Sequence, residues 1–291
     1  MHINKIVVVG SLFIILGELF FTSMGMIVKT LGESIPSYHL VFYRNAFAVI
    51  VLAPFLFRQR LIHVKTKRIG MHLIRSLSGL LAMYCFFYAL ANIELANAML
   101  LKLTGPIFIP IIAIIWIKEK ISLKTYLGIA IGFLGVAVFL NPTAEIQFAA
   151  VIGLIGGALA AVAKVSIRRM SDTEPTARIV FYFALLGALF SSIPLMFGDS
   201  YLPTPEQWAM LLLLGVVGTC GQFCLTQAYR IAPASQVGPF TYFSLLWAST
   251  AGWLFWNELP TLNTLLGAAL IIIAGIVLIY RKTELSSDIK P

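Results

Sequence analysis

Ten stretches of about twenty residues, each almost free of charge, dominate this chain, and each is long enough to cross the ~30 Å hydrocarbon core of a bilayer as a helix. They run at 6–28, 38–57, 71–90, 95–117 and 126–140, then at 148–167, 177–197, 208–228, 234–256 and 262–280. A tight break at Asn92-Ile93-Glu94 separates the third span from the fourth, and the fifth span is short. With 59% apolar and 11% charged residues and a mean hydropathy of +0.93, the chain lies outside the globular range of roughly 45–50% apolar and about 25% charged. It reads as an all-α integral membrane protein of ten transmembrane helices.

The spans fall into two copies of one unit. Residues 119–128 read EKISLKTYLG and residues 258–267 read ELPTLNTLLG, alike at five of ten positions and offset by 139. The same offset, without a gap, pairs Gly17 with Gly156, Lys29 with Arg168, Val41-Phe42-Tyr43 with Val180-Phe181-Tyr182, Gly79 with Gly218, Cys85 with Cys224 and Ala89 with Ala228. The weight lies on the local clusters and the constant offset. We therefore expect two five-helix repeats, 1–142 and 148–281, and a tail, 282–291.

Lys and Arg flank the cytoplasmic ends of membrane helices. With a cytoplasmic N-terminus, the inner segments hold Lys5, Arg58, Arg60, Lys65, Lys67, Arg68, Lys118, Lys120, Lys124, Arg168, Arg169, Arg178, Arg230, Arg281, Lys282 and Lys290, and the outer side holds Lys29 alone. Glu33, Glu94, Glu145, Asp199, Glu206 and Glu258 fall outside. Both termini are expected in the cytoplasm of a multi-pass inner-membrane protein. This topology accounts for the net charge of +9 and leaves no basic surface for nucleic acid.

Five spans per copy is an odd number, so the second copy is inverted relative to the first. Glu119 lies among Lys118, Lys120 and Lys124, whereas Glu258 has no cation beside it in sequence, as expected if one turn faces inward and the other outward. Inverted repeats are an architecture of secondary transporters, in which two related halves rock about a central site.

The two-repeat plan, the Arg in Val-Phe-Tyr-Arg44, Pro106 followed by Ile-Lys-Glu119 and Gly128, and the counterpart Trp-Asn-Glu258 leading to Gly267 resemble the EamA-type branch of the drug/metabolite transporter superfamily. The resemblance covers essentially the whole chain. It implies a central cavity between the repeats, lined mainly by helices other than the fifth and tenth, and substrates such as amino acids, S-adenosylmethionine, riboflavin and other vitamins, metal-chelating metabolites or drugs. One departure is that the position matching Pro106 is Leu245, while a Gly-Pro pair lies earlier, at Gly238-Pro239.

Glu119 and Glu258 each follow an apolar run and precede the next helix, where a carboxylate caps free N–H groups and complements the helix dipole. A structural role is expected for both. Ionisable groups inside spans are costly and point to function. Glu18 lies near the middle of the first span, Arg44 two turns into the second and Lys102 two turns into the fourth. Glu18 with Lys102 or Arg44 forms a neutralising pair that exchanges partners, or Glu18 carries a proton, or the pair only orients helices. Arg75 and Lys164, near span ends, are expected to snorkel toward the interface.

In the second half, Gln222, Gln227, Gln236, Thr241 and Tyr242 offer polar contacts beside Tyr229 and Ser244, a mix suited to a flat, amide-rich or zwitterionic solute. Gly105-Pro106 and Gly238-Pro239 interrupt backbone hydrogen bonding at membrane depth, which is tolerated beside a cavity. With Asn97 they mark the expected bends, Pro106 and Pro239 being the hinges.

No G-x-x-x-x-G-K-[ST] loop is present to bind ATP, and no H-E-x-x-H or in-span Asp suggests a protease. His39, His63 and His72 are scattered, and Cys85, Cys220 and Cys224 lie within spans without a full zinc ligand set, so no metal, disulfide or cofactor is expected. The first span lacks a cleavage pattern and reads as a retained helix. The expected function is not enzymatic. It is secondary active transport of a small organic metabolite by alternating access, with a nitrogen-rich or heteroaromatic solute, riboflavin-type vitamin and S-adenosylmethionine uptake among the candidates, and protons a candidate coupling ion. Export of amino acids or drugs is the alternative, and a channel or a non-transporting scaffold or sensor the rival class. Oligomeric state is not legible.

Overall fold

The structure, a computed structural model, describes residues 5–58, 65–117, 123–140, 147–170, 172–199, 201–232 and 238–287. Helices α1 (Lys5–Gly32), α2 (Ser37–Arg58) and α3 (Ile69–Asn92) form the first three spans. The fourth is split into α4 (Leu95–Lys102) and α5 (Gly105–Ile117). Pro106 has no N–H to donate to the Lys102 carbonyl, and the Thr104 hydroxyl instead donates to the Leu101 carbonyl at 2.6 Å, closing the end of α4. Then follow α6 (Leu123–Leu140), α7 (Phe148–Met170), α8 (Thr176–Leu195) and α9 (Pro205–Ile231). The ninth span opens with a 3-10 turn, Gly238–Tyr242, and continues as α10 (Phe243–Trp256), and α11 (Leu262–Ser287) is the tenth. Counting each split span once, ten spans and no strand occur among the described residues.

Local signals set several of these boundaries. At the start of α9, Thr204 Oγ1 accepts from the Gln207 backbone at 3.3 Å and Gln207 Oε1 accepts from the Thr204 backbone at 2.9 Å, a reciprocal cap with Pro205 in the first turn. At the end of α10, Asn257 adopts the left-handed conformation, φ 54°, and its N–H bonds back to Trp253 O at 3.2 Å.

The halves pack by exchange. Helix α1 lies along α9 and α3 along α7, while α2 meets α8 and α6 meets α11. Adding the offset of 139 turns α1 into α7 and α3 into α9, so the first two pairings are the same contact made twice. It recurs at the level of atoms. A Cβ on Gly17 would stand 3.3 Å from Cys224 Cβ and 3.5 Å from Gly221 O, and one on Gly156 would stand 2.8 Å from Cys85 Cβ and 3.4 Å from Ala82 O. Each partner is the other's image under the repeat. A larger residue would collide at Gly156 and press on Cys224 at Gly17, so the helices approach closely at both.

Helices α6 and α11 pair chiefly with each other at one edge of the bundle; a Cβ on Gly267 would lie 2.6 Å from Phe139 Cβ. Val8–Gly32, Ile69–Asn92, Phe148–Ile167, Thr176–Leu195 and Pro205–Ile231 are each long and apolar enough to cross a membrane unaided. Large apolar side chains such as Leu12, Ile50, Leu81, Leu189, Leu213 and Leu254 face outward, whereas Glu18, Arg44 and Arg75 are buried. This polarity is the reverse of a water-soluble bundle, as a multi-pass membrane protein requires.

Candidate functional site

Ser11, Glu18 and Thr22 recur on one buried stripe of α1 facing its neighbours, and neither hydroxyl has a partner among the described residues. Of the two partners expected for Glu18, Lys102 is the one that meets it. The Lys102 ammonium donates to Glu18 Oε2 at 2.7 Å, with side-chain exposures of 2% for Glu18 and 19% for Lys102. It also lies 4.5 Å from the centre of the Phe21 ring, a favourable cation–π contact. Tyr229 lies within electrostatic reach of Glu18 and of Tyr242, whose hydroxyl donates to Ile271 O at 3.5 Å.

Arg44 is elsewhere, fully buried, donating from Nη1 to Asn45 Oδ1 and from Nη2 to Gly218 O, both at 3.0 Å. Its guanidinium sits 5.4 Å from the centre of the Phe183 ring. A second guanidinium, that of Arg75, lies 4.1 Å from the same ring and donates to Gln222 Oε1 at 3.0 Å. The Nε of each arginine is buried without an acceptor among the described residues.

Arg75 thus corrects one expectation: at 4% exposure it does not snorkel. Space decides this. A Cβ on Gly79, one turn along α3, would collide with Arg75 Nη1, so the glycine opens the inward path. Gly218, the repeat partner of Gly79, does the same for Arg44, whose Nε would lie 2.9 Å from a Cβ there. Lys164 also turns inward, its ammonium 3.6 Å from where a Gly105 Cβ would be, within electrostatic reach of Lys102, Glu18 and Arg75. It has no ion-pair partner among the described residues. Charges buried inside spans are costly and point to function, and Arg44, Arg75 and Lys164 carry three of them.

Not every expected residue joins this group. Gln227 accepts from Thr176 Oγ1 at 3.2 Å, at the start of α8. Gln236 and Glu119 lie outside the described residues. Pro106 and Pro239 are the second residues of α5 and of the 3-10 turn. Asn97 belongs to a separate mouth, donating to Glu94 Oε2 at 2.9 Å and accepting from Thr264 Oγ1 at 3.1 Å.

At that mouth Glu258 bridges the two halves. Its Oε1 lies 2.8 Å from Lys29 Nζ, and its Oε2 accepts from the Leu95 N–H at 2.9 Å. It therefore caps α4 rather than α11. The first turn of α11 is served by Thr261, whose Oγ1 accepts from Thr264 N at 3.2 Å, which leaves Glu258 free to reach across. A cavity of about 510 Å³ opens here, lined by Lys29, Asn92, Glu94, Asn97, Glu258 and Thr261 among others, and its lining includes none of the buried cations. Burial and the Glu258 carboxylate push Glu94 above the usual carboxylate range, against the pull of Lys29 and Asn97.

A third polar group lies between α7 and α8, where the buried Glu174 accepts from Arg178 at 2.7 Å and from Thr66 at 2.8 Å, with His72 Nε2 at 3.6 Å. Burial pushes Glu174 upward, but the Arg178 and Thr66 hydrogen bonds and the Arg178 and His72 charges outweigh it and hold the carboxyl below its usual range. No group of three or more metal-ligating side chains comes together among the described residues.

Sequence reasoning missed Phe183, Asn45 and the inward turn of Arg75 and Lys164. One signal was present: the offset of 139 puts Phe183 opposite Arg44 and pairs Gly79 with Gly218.

Comparison with known proteins agrees with this geometry. The model of the EamA-like transporter family matches residues 8–141 and again 147–281. The pseudopaline exporter of Pseudomonas aeruginosa is 34% identical over 272 residues, 92% of this chain and 95% of that protein. An S-adenosylmethionine uptake transporter of Rickettsia bellii is 28% identical, covering 89% of each chain, and a riboflavin transporter of Rhizobium johnstonii is 28% identical over 98% of this chain and 94% of its own. A solved crystal structure shares the fold at a TM-score of 0.66 and 18% identity, covering 95% of this chain and 98% of that one. Two matches to one family model, in the two halves that pack by exchange, identify the chain as a member of the EamA-like transporter family, a family of membrane transporters and not of enzymes.

Proposed function

We propose that this protein is a secondary transporter that moves a small organic metabolite across the inner membrane by alternating access, with its halves inverted and both termini cytoplasmic. The observation that carries the reading is the paired contact of Gly17 with Cys224 and of Gly156 with Cys85. Two halves that meet through equivalent surfaces have two arrangements of similar energy, one open to each side. The Lys29–Glu258 bridge and the cap on α4 act as a closure at the outer mouth.

The buried group of Glu18, Arg44, Arg75, Lys102, Lys164 and Gln222 is the proposed substrate and coupling site, with bends at Pro106 and Pro239 beside it. Relatives that carry S-adenosylmethionine, riboflavin and pseudopaline favour a nitrogen-bearing metabolite and leave direction open. Glu18 is the proposed proton carrier, released from Lys102 as the halves move. Reconstituted protein tests this: Glu18→Gln should abolish pH-dependent uptake and leave counterflow exchange measurable. Conductance without saturation would identify a channel instead.

A further inference from the structure

We infer that the solute is a small organic anion bearing at least two carboxylate or phosphate groups, held between Arg44 and Arg75. This rests on the transport reading above and names the chemistry of the cargo. Arg44, Arg75, Lys102 and Lys164 gather in the bundle interior, and Glu18 is the acidic residue among them. That carboxylate is engaged by Lys102 at 2.7 Å. Arg44, Arg75 and Lys164 remain without an ion-pair partner among the described residues.

Neither guanidinium is saturated. Arg44 uses two donors, on Asn45 and Gly218 O, and Arg75 uses one, on Gln222. A guanidinium carries five N–H donors in a planar fork that matches a carboxylate or phosphate, and both Nε groups are buried without an acceptor. Both forks rest on the Phe183 ring, so one small molecule with two anionic groups spans them. A neutral ring system stacked on Phe183 would leave the three cations uncompensated, and a cationic solute would be repelled.

The fold does not need these charges. The repeat places Phe183, Leu214 and Gly25 at the positions of Arg44, Arg75 and Lys164, and Gly157 and Thr241 at those of Glu18 and Lys102. The same helix positions are filled without charge in the other half. What the halves share is Gly79 and Gly218, the two residues that make room for the guanidiniums.

The test is isotope exchange at pH 7 in proteoliposomes holding an equimolar mixture of citrate, malate, fructose 1,6-bisphosphate, riboflavin, S-adenosylmethionine and lysine, with the labelled mixture outside and exchange read by mass spectrometry. At least one of the three anions should exchange tenfold faster than in protein-free liposomes, and citrate or malate against fructose 1,6-bisphosphate assigns carboxylate or phosphate. Arg44→Gln and Arg75→Gln should each cut that rate at least tenfold in protein that remains monodisperse, with Arg75→Lys retaining more than Arg75→Gln. Exchange of riboflavin, S-adenosylmethionine or lysine with none of the anions would overturn the inference and leave transport standing. Full anion exchange in both glutamine variants would overturn the assigned site. Exchange of none of the six would overturn the inference, while the transport reading keeps its own test in the bridged outer mouth.

Discussion

Replacing Glu18 alone should destabilise the bundle far more than replacing Glu18 and Lys102 together. The carboxylate and ammonium are 2.7 Å apart, with 2% and 19% of their side chains exposed. At an effective dielectric of about 20, unit charges about 4 Å apart attract by ~4 kcal/mol, and removing one member of a buried pair costs about 3–5 kcal/mol because the other charge is stranded. Lys102 retains some exposure and the Phe21 ring, so Glu18→Gln should fall near the lower end, at ~3 kcal/mol. Lys102→Met strands Glu18, the more buried partner, and should cost at least as much. The double variant removes both charges and should lie within about 1 kcal/mol of the parent, a coupling of several kcal/mol. Unfolding in mixed SDS and non-ionic micelles, read by tryptophan fluorescence, measures all four corners of the cycle. A coupling below about 0.5 kcal/mol, the level found for independent sites, would refute the argument.

Three further perturbations probe other parts of the account. Glu174 has a lowered folded-state pKa, so it contributes stability above the ordinary carboxylate range that is lost as pH falls through the folded value; acid unfolding should show this loss, and Glu174→Gln should flatten it. Gly79→Ala should displace Arg75 from the Phe183 ring and reduce solute exchange about as much as Arg75→Gln, whereas unchanged exchange would show that the inward path tolerates a methyl group. Glu258→Gln keeps an acceptor for the Leu95 N–H but loses the charge opposite Lys29, a loss of about 1–2 kcal/mol, or roughly tenfold in the closed population. A cysteine at Asn97 should then react faster with a membrane-impermeant thiol reagent, and an unaltered rate would remove Glu258 from the closure.

The scaffold was largely legible in the sequence, and the site only partly. Span number and the repeat could be read because length, charge and a fixed offset do not depend on which way a helix faces. Gly17, Gly156, Cys85 and Cys224 were paired by offset alone, and the structure brings them together two by two. Facing is harder to read in a membrane helix, where lipid and protein interior are both apolar. Hence Arg75 and Lys164 looked like snorkelling residues: their distance from the span ends fits either direction, and for Arg75 it is the space left by Gly79 that lets it turn inward. Glu258 was identifiable as a capping residue, but the helix it caps, α4, lies 163 residues away in the chain. The Glu18–Lys102 pair was one of two arrangements that the sequence left open, and burial of Arg44 against Gly218 O separates them.

Alternating access predicts that one mouth must open for solute to pass, so holding the outer closure shut should stop transport. Lys29→Cys and Glu258→Cys, in protein with Cys85, Cys220 and Cys224 replaced by Ala, allow the closure to be bridged with a short bis-methanethiosulfonate reagent. In proteoliposomes, bridging should bring solute flux to the protein-free background, and reduction of the bridge should restore it. Undiminished flux through the bridged protein would contradict the account.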